Sequence, residues 1–127
     1  MIQSRTQTFI AKHLPGEHCD SPKLTEILGP PPTGGGECPV LAQIQWQDGS
    51  IGEHGVNGVQ LEEVVGVCIE RLQALQDGAF PCAENTYAID HLRSAVEWQA
   101  KRRAARVAQG VEGQRKPHAP AGGMATL

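Results

Sequence analysis

The stretch that most constrains this chain runs from Pro81 to Gly113, PCAENTYAIDHLRSAVEWQAKRRAARVAQGVEG, and carries one long helical pattern without a break. Ala88, Leu92 and Ala95 recur at four-three spacing, and the same phase continues into Gln99, Arg102 and Arg106. Residues so spaced share one helix face, so the stripe that meets a neighbour turns from apolar to cationic. Arg102 has Trp98 at i−4 and Gln99 at i−3, while Arg106 has Arg102 and Arg103 there, so neither finds a carboxylate within its own helix. Guanidinium offers paired donors and a permanent charge, which suits such residues to fork onto phosphate oxygens. The alternatives are a solvated basic helix end, favoured by the helix dipole, and a salt bridge across an interface.

Upstream, Leu61, Val65, Cys68, Leu72 and Leu75 recur at similar spacing from Val59 to about Gln76, the mark of an amphipathic helix that Asp77-Gly78 ends. The short connection through Pro81 predicts an antiparallel helical hairpin, with Asn85 near the start of its second helix. Before it, Val40, Ala42, Ile44 and Trp46 alternate with Leu41, Gln43 and Gln45, the period of a half-buried strand in a small ribbon or at a sheet edge. Ile51 begins a candidate return strand, and Asn57-Gly58 is a breaker ahead of the helix.

The chain therefore reads as α+β: a two-helix hairpin preceded by a short strand or ribbon and an N-terminal arm. Residues 1–29 form the arm, with Ser21 and Pro22 opening a short helix through Leu24, Ile27 and Leu28. Residues 30–37 are a Pro/Gly linker, 38–113 the strand-plus-hairpin domain and 114–127 a Gly/Pro/Ala-rich tail read as disordered. At 127 residues with 4% aromatics, the domain has few large core anchors, and oligomerisation is expected.

The net charge of −3 argues against generic attraction to nucleic acid or anionic membrane, although Lys101, Arg102, Arg103 and Arg106 leave room for a local anion site. No run has the apolar length of a membrane span and the first residues lack a signal-peptide core, so a cytoplasmic protein is expected. Cys19, Cys38, Cys68 and Cys82 contain no Cys-x-x-Cys pair and read as free thiols. A zinc site drawing on His13, His18 and Cys19 lacks the usual ligand spacing, so no metal and no cofactor is expected. Asp90 and His91 point to different helix faces, His54 sits beside Glu53 in a turn, and no nucleophile, phosphate loop or HExxH is present. The chain is read as a binder rather than an enzyme.

Asn57-Gly58-Val59, LEEVVGVCIERLQALQ, GAFPCAENTYAIDHL, AVEWQAKRRAARVA and the closing GVEG together resemble the hairpin domain of phage Thoeris anti-defence proteins, a hairpin shared with phage anti-CBASS proteins. The resemblance covers about Gln43 to Gly113. It implies a non-enzymatic sponge that binds immune signalling nucleotides, chiefly cyclic ADP-ribose isomers and in some members cyclic di- and trinucleotides, and holds them intact in the host bacterial cytoplasm. Carried onto this chain, the implied ligand positions are Asn85, Arg102 and Arg106, with Leu75 where many relatives present an aromatic ring. Leucine can cover a ring face but has no π system. Arg71, Trp98 and Arg103 are secondary ligand candidates. Glu97 replaces a residue that is often histidine, and Val59 stands where anti-CBASS hairpins carry a stacking tyrosine.

In one continuous helix Asn85 and Arg102 would lie about 25 Å apart at ~1.5 Å per residue, too far to hold one small ligand. A shared pocket would then combine Asn85 and Leu75 of one protomer with Arg102 and Arg106 of another, in a homo-oligomer that is a dimer or a hexamer built as a trimer of dimers. The rival readings are a helical interaction or regulatory protein of a prophage with no nucleotide ligand, and a small phosphoesterase acting on the same signals.

Overall fold

The computed structural model describes residues 10–109, and it divides at Val59/Gln60 into a sheet unit and a hairpin unit. The sheet unit contains β1 (Ile10–Pro15), β2 (Pro22–Leu28), β3 (Val40–Gln45) and α1 (Ile51–His54); the hairpin unit contains α2 (Leu61–Gln76) and α3 (Ala83–Ala108). The three strands are antiparallel in the order β1-β2-β3, which puts β3 at an edge as expected, although Val40 and Ala42 of its expected half-buried face are exposed and Ile44 alone in the strand is partly covered.

Two expectations for the first half are corrected. Pro22–Leu28, read above as a short helix within a separate arm, is the central strand of the sheet. Thr25 decides this: its side chain is buried, its hydroxyl lies 2.8 Å from His13 Nδ1 on β1, and it accepts the Trp46 indole N–H at 2.7 Å. A hydroxyl buried with partners from both flanking segments favours the extended state, where β-branched Thr25 and Ile27 also fit. The Pro/Gly stretch is accordingly the loop of a long β-hairpin, closed where Gly29 N–H donates to the Pro39 carbonyl at 2.8 Å. The second correction concerns Ile51, which opens the one-turn helix α1 instead of a return strand; Ser50 caps it by accepting the Glu53 N–H at 3.2 Å. Beyond α1 the chain returns to the strand end, with Gln47 N–H donating to Val59 O and Val59 N–H to Gln45 O. A Cβ at Gly58 would stand 2.4 Å from the Trp46 carbonyl, so only glycine admits this approach.

Asp48 ties the β1–β2 turn to the end of β3. It is 6% exposed, and its carboxylate accepts the backbone N–H of Glu17 at 2.9 Å and of His18 at 3.0 Å. Those donors hold its carboxyl down at about 2. Asn57 braces the same corner, accepting the Asp48 N–H at 2.7 Å and donating to the Asp48 carbonyl at 2.9 Å.

The hairpin forms as its periodicity predicts. Gln60 N–H donates to Glu63 Oε1 at 3.0 Å, completing an acidic first turn for α2. At the other end the Gln76 side chain closes the connection, donating to Cys82 O and Thr86 Oγ1 at 2.8 Å each while accepting from Cys82 N–H at 2.8 Å. α3 then runs unbroken for 26 residues. The packed face of each helix overlaps the expected one and is shifted from it: Ala88, Leu92, Gln99 and Arg106 on α3, and Val65 and Leu72 on α2, are covered as expected. On α3 the covered positions are Asn85, Ala88, Ile89, Leu92, Val96, Gln99, Arg103, Ala105 and Arg106, while Ala95 and Arg102 are exposed. On α2 they include Glu62, Val65, Ile69, Leu72 and Gln76, while Leu61, Cys68 and Leu75 are exposed. Ile89, Val96 and Ile69 offer more apolar surface than Ala95 and Cys68, so a shift toward them removes more area from water. Ile89 is the buried apolar residue among the described residues. Among those residues no helix is long and apolar enough to cross a membrane.

Candidate ligand-binding site

The candidate residues fall into two groups at opposite ends of the hairpin. At the connection end, Asn85 is half-buried in the first turn of α3 and its amide donates to Gln76 Oε1 at 3.2 Å. Leu75 precedes Gln76 on α2 and is 49% exposed. Arg71, one turn earlier, is also exposed. The amide network of Gln76 therefore sets the position of Asn85 relative to the α2 C-terminus.

At the far end, α3 brings its cations alongside the N-terminus of α2. Arg103 is half-buried; its Nη2 donates to Gln60 Oε1 at 2.9 Å and makes an ion pair with the Glu62 carboxylate. This pairing across the hairpin, with that at Gln76, establishes the antiparallel arrangement. Arg106 is 5% exposed on the same face. Arg102 points off that face, is exposed, and makes no hydrogen bond or ion pair among the described residues. Trp98 is 66% exposed, with Lys101 Nζ 4.5 Å from its ring centroid, a cation–π contact that gives the indole a fixed cationic neighbour.

The expectation that Arg102 and Arg106 continue one buried stripe is thus half right. Arg106 lies on it and Arg102 does not; Arg103, ranked below both, takes the stripe position. The role of Arg103 was hidden because its acid, Glu62, is on the other helix, beyond the reach of an i±4 rule. Gln76 was likewise missed, although a glutamine ending an apolar face just before Asp77-Gly78 is the signal that could have found it. Within one chain, Asn85 and Leu75 are not brought together with Arg102 and Arg106. The continuity of α3 keeps Asn85 and Arg102 about 25 Å apart, from its rise of ~1.5 Å per residue.

Residues 39–104 match the family model of the Acb2/Tad1 hairpin domain. The chain belongs to this family. The matched segment starts at β3 and spans α2 and most of α3, taking in Leu75, Asn85 and Arg102; Arg106 lies just beyond it. The chain is also similar to Thoeris anti-defense 1 of Bacillus phage SBSphiJ7, with 45% identity over 73 residues, 58% of this chain. It spans about half the length of that relative, 51% being covered. Membership in the Acb2/Tad1 hairpin family accounts for the helical pair, while β1 and β2 lie outside the matched segment.

Proposed function

We propose that this protein is an anti-defence sponge that binds cyclic nucleotide immune signals and sequesters them without hydrolysis. The ligand class is cyclic ADP-ribose isomers, with cyclic di- or trinucleotides as a second set. The observation that carries this reading is Arg102, an exposed guanidinium without a partner among the described residues, beside an Arg103 already committed to Glu62. A guanidinium left with its donors free is suited to a phosphate oxygen pair. Its membership of the Acb2/Tad1 hairpin family and likeness to Thoeris anti-defense 1 support the anti-defence setting.

The pocket is completed by a second copy. Asn85 and Leu75 of one protomer meet Arg102 and Arg106 of another, since the hairpin holds the two pairs at opposite ends. The apolar surface for such an assembly is present: Leu61, Cys68 and Leu75 recur every seven residues on α2 and are exposed in the single chain. That spacing gives a continuous seam suited to helix packing. The oligomer is a dimer or a trimer of dimers, and the protein acts in the bacterial host cytoplasm. Capture is stoichiometric; a pyrophosphate on desolvated arginines with an adenine on apolar surface is compatible with nanomolar affinity, about 12 kcal/mol.

The test is to load the protein with a cyclic ADP-ribose isomer, remove free ligand, denature, and identify what is released. Intact nucleotide in stoichiometric amount is expected; hydrolysis products would make it a phosphoesterase, and no retained nucleotide would favour a prophage interaction protein. Arg102→Ala is the informative variant, because Arg102 is exposed and its loss leaves the hairpin contacts in place. It is expected to abolish the rise in Tm on adding ligand while the oligomer mass by light scattering stays unchanged.

A further inference from the structure

A second polar cluster lies in the sheet unit, and the nucleotide reading does not use it. At its centre is the buried Asp48 carboxylate. Oδ2 accepts the Glu17 N–H, while Oδ1 accepts the His18 N–H and lies 3.3 Å from Cys19 Sγ. A carboxylate carries about four lone-pair sites, so one on Oδ2 stays open with these bonds intact. The donor atoms of Glu17, His18 and Asp48 all lie within 4.8 Å of one another. Ligands around a tetrahedral ion with bonds of ~2.0–2.3 Å stand about 3.5 Å apart, so small rotamer changes suffice to close the set.

Two further observations support a ligand here. Glu17, His18 and Asp48 line one 340 Å³ cavity, together with Lys23, Trp46 and Asn57, so their side chains open onto common space. The His18 ring is stacked on His54, centroids 3.9 Å apart and planes 10° from parallel, which fixes its plane and leaves its nitrogens at the ring edge. Lys23 now pairs with Glu17, showing that the cluster already attracts one cation.

The geometry points to a divalent metal site of the zinc class, with Glu17, His18 and Asp48 as ligands. Imidazole nitrogen beside carboxylate oxygen suits a borderline ion with three protein ligands and an open fourth position, whereas calcium and magnesium take oxygen donors. The ion replaces Lys23 as the counter-charge of Glu17. Bound metal would reinforce the connection that Asp48 makes between the β1–β2 turn and the end of β3.

The full chain, stripped with chelator and dialysed against Zn2+, is expected to retain one zinc per chain. His18→Ala and Glu17→Gln keep the backbone N–H groups that Asp48 uses, so both should fold, and each should weaken binding at least tenfold. Lys23→Gln should strengthen it by removing the competing cation. Zinc binding unchanged in both His18→Ala and Glu17→Gln, or no zinc retained by the native chain, would overturn the assignment.

Discussion

The sheet unit and the hairpin unit are held by different physics. In the sheet, buried hydrogen-bonding groups do much of the specifying: Thr25 joins His13 and Trp46, and Asp48 gathers the β1–β2 turn. The hairpin is closed by polar clasps at its two ends, with an apolar stripe between them and a second stripe left on its outside. A network of directional bonds is satisfied within one chain. An outward apolar stripe is satisfied by another surface, which is why the proposed oligomer and ligand pocket both belong to the hairpin.

Substitutions in the two units test these different sources of stability. Ile89→Ala removes the buried apolar side chain of the hairpin and should cost about 3 kcal/mol, read as a lower midpoint in helical circular dichroism. Thr25→Val keeps shape but strands the Trp46 N–H, and should cost about 2 kcal/mol, read as earlier denaturant exposure of Trp46. If Thr25→Val proved as stable as the native chain, buried hydrogen bonds would not be what specifies the sheet. A smaller effect is confined to acid. The folded-state carboxyl of Asp48 lies at about 2, below its ordinary 3.8, so the unfolded chain takes up the proton first. In chelator, the stability from Asp48 should be fully present above pH 3.8 and decline as pH falls toward 2, with a slope approaching one proton. Asp48→Asn should flatten that part of the profile. The smallest change belongs to Arg103→Ala, whose pairing with Glu62 is partly solvated; a loss of up to about 1 kcal/mol is expected in the hairpin melt.

How much of this was legible beforehand varied with the range of the interaction involved. Both long helices and the edge strand followed from periodicity. The central strand did not, because Pro22 to Leu28 contains a plausible helix start, and its true state depends on partners at His13 and Trp46 that no local window joins. Of the candidate site residues, Asn85 was placed correctly at the start of α3. The arginines were assigned to a cationic end, but their division into a packed Arg103 and an exposed Arg102 was not foreseen.

By itself the sequence determined where the helices run, where they stop, the cationic end of the second one and the likeness to the anti-defence hairpin. These rest on the 3.6-residue period, breakers and local charge, all properties of neighbouring residues. The tertiary structure decided which of two adjacent phases is packed, that Pro22–Leu28 is a strand, and that Asp48 gathers Glu17, His18 and Cys19. Each of those depends on contacts between residues far apart in the chain, where volume and buried hydrogen bonds outweigh local preference.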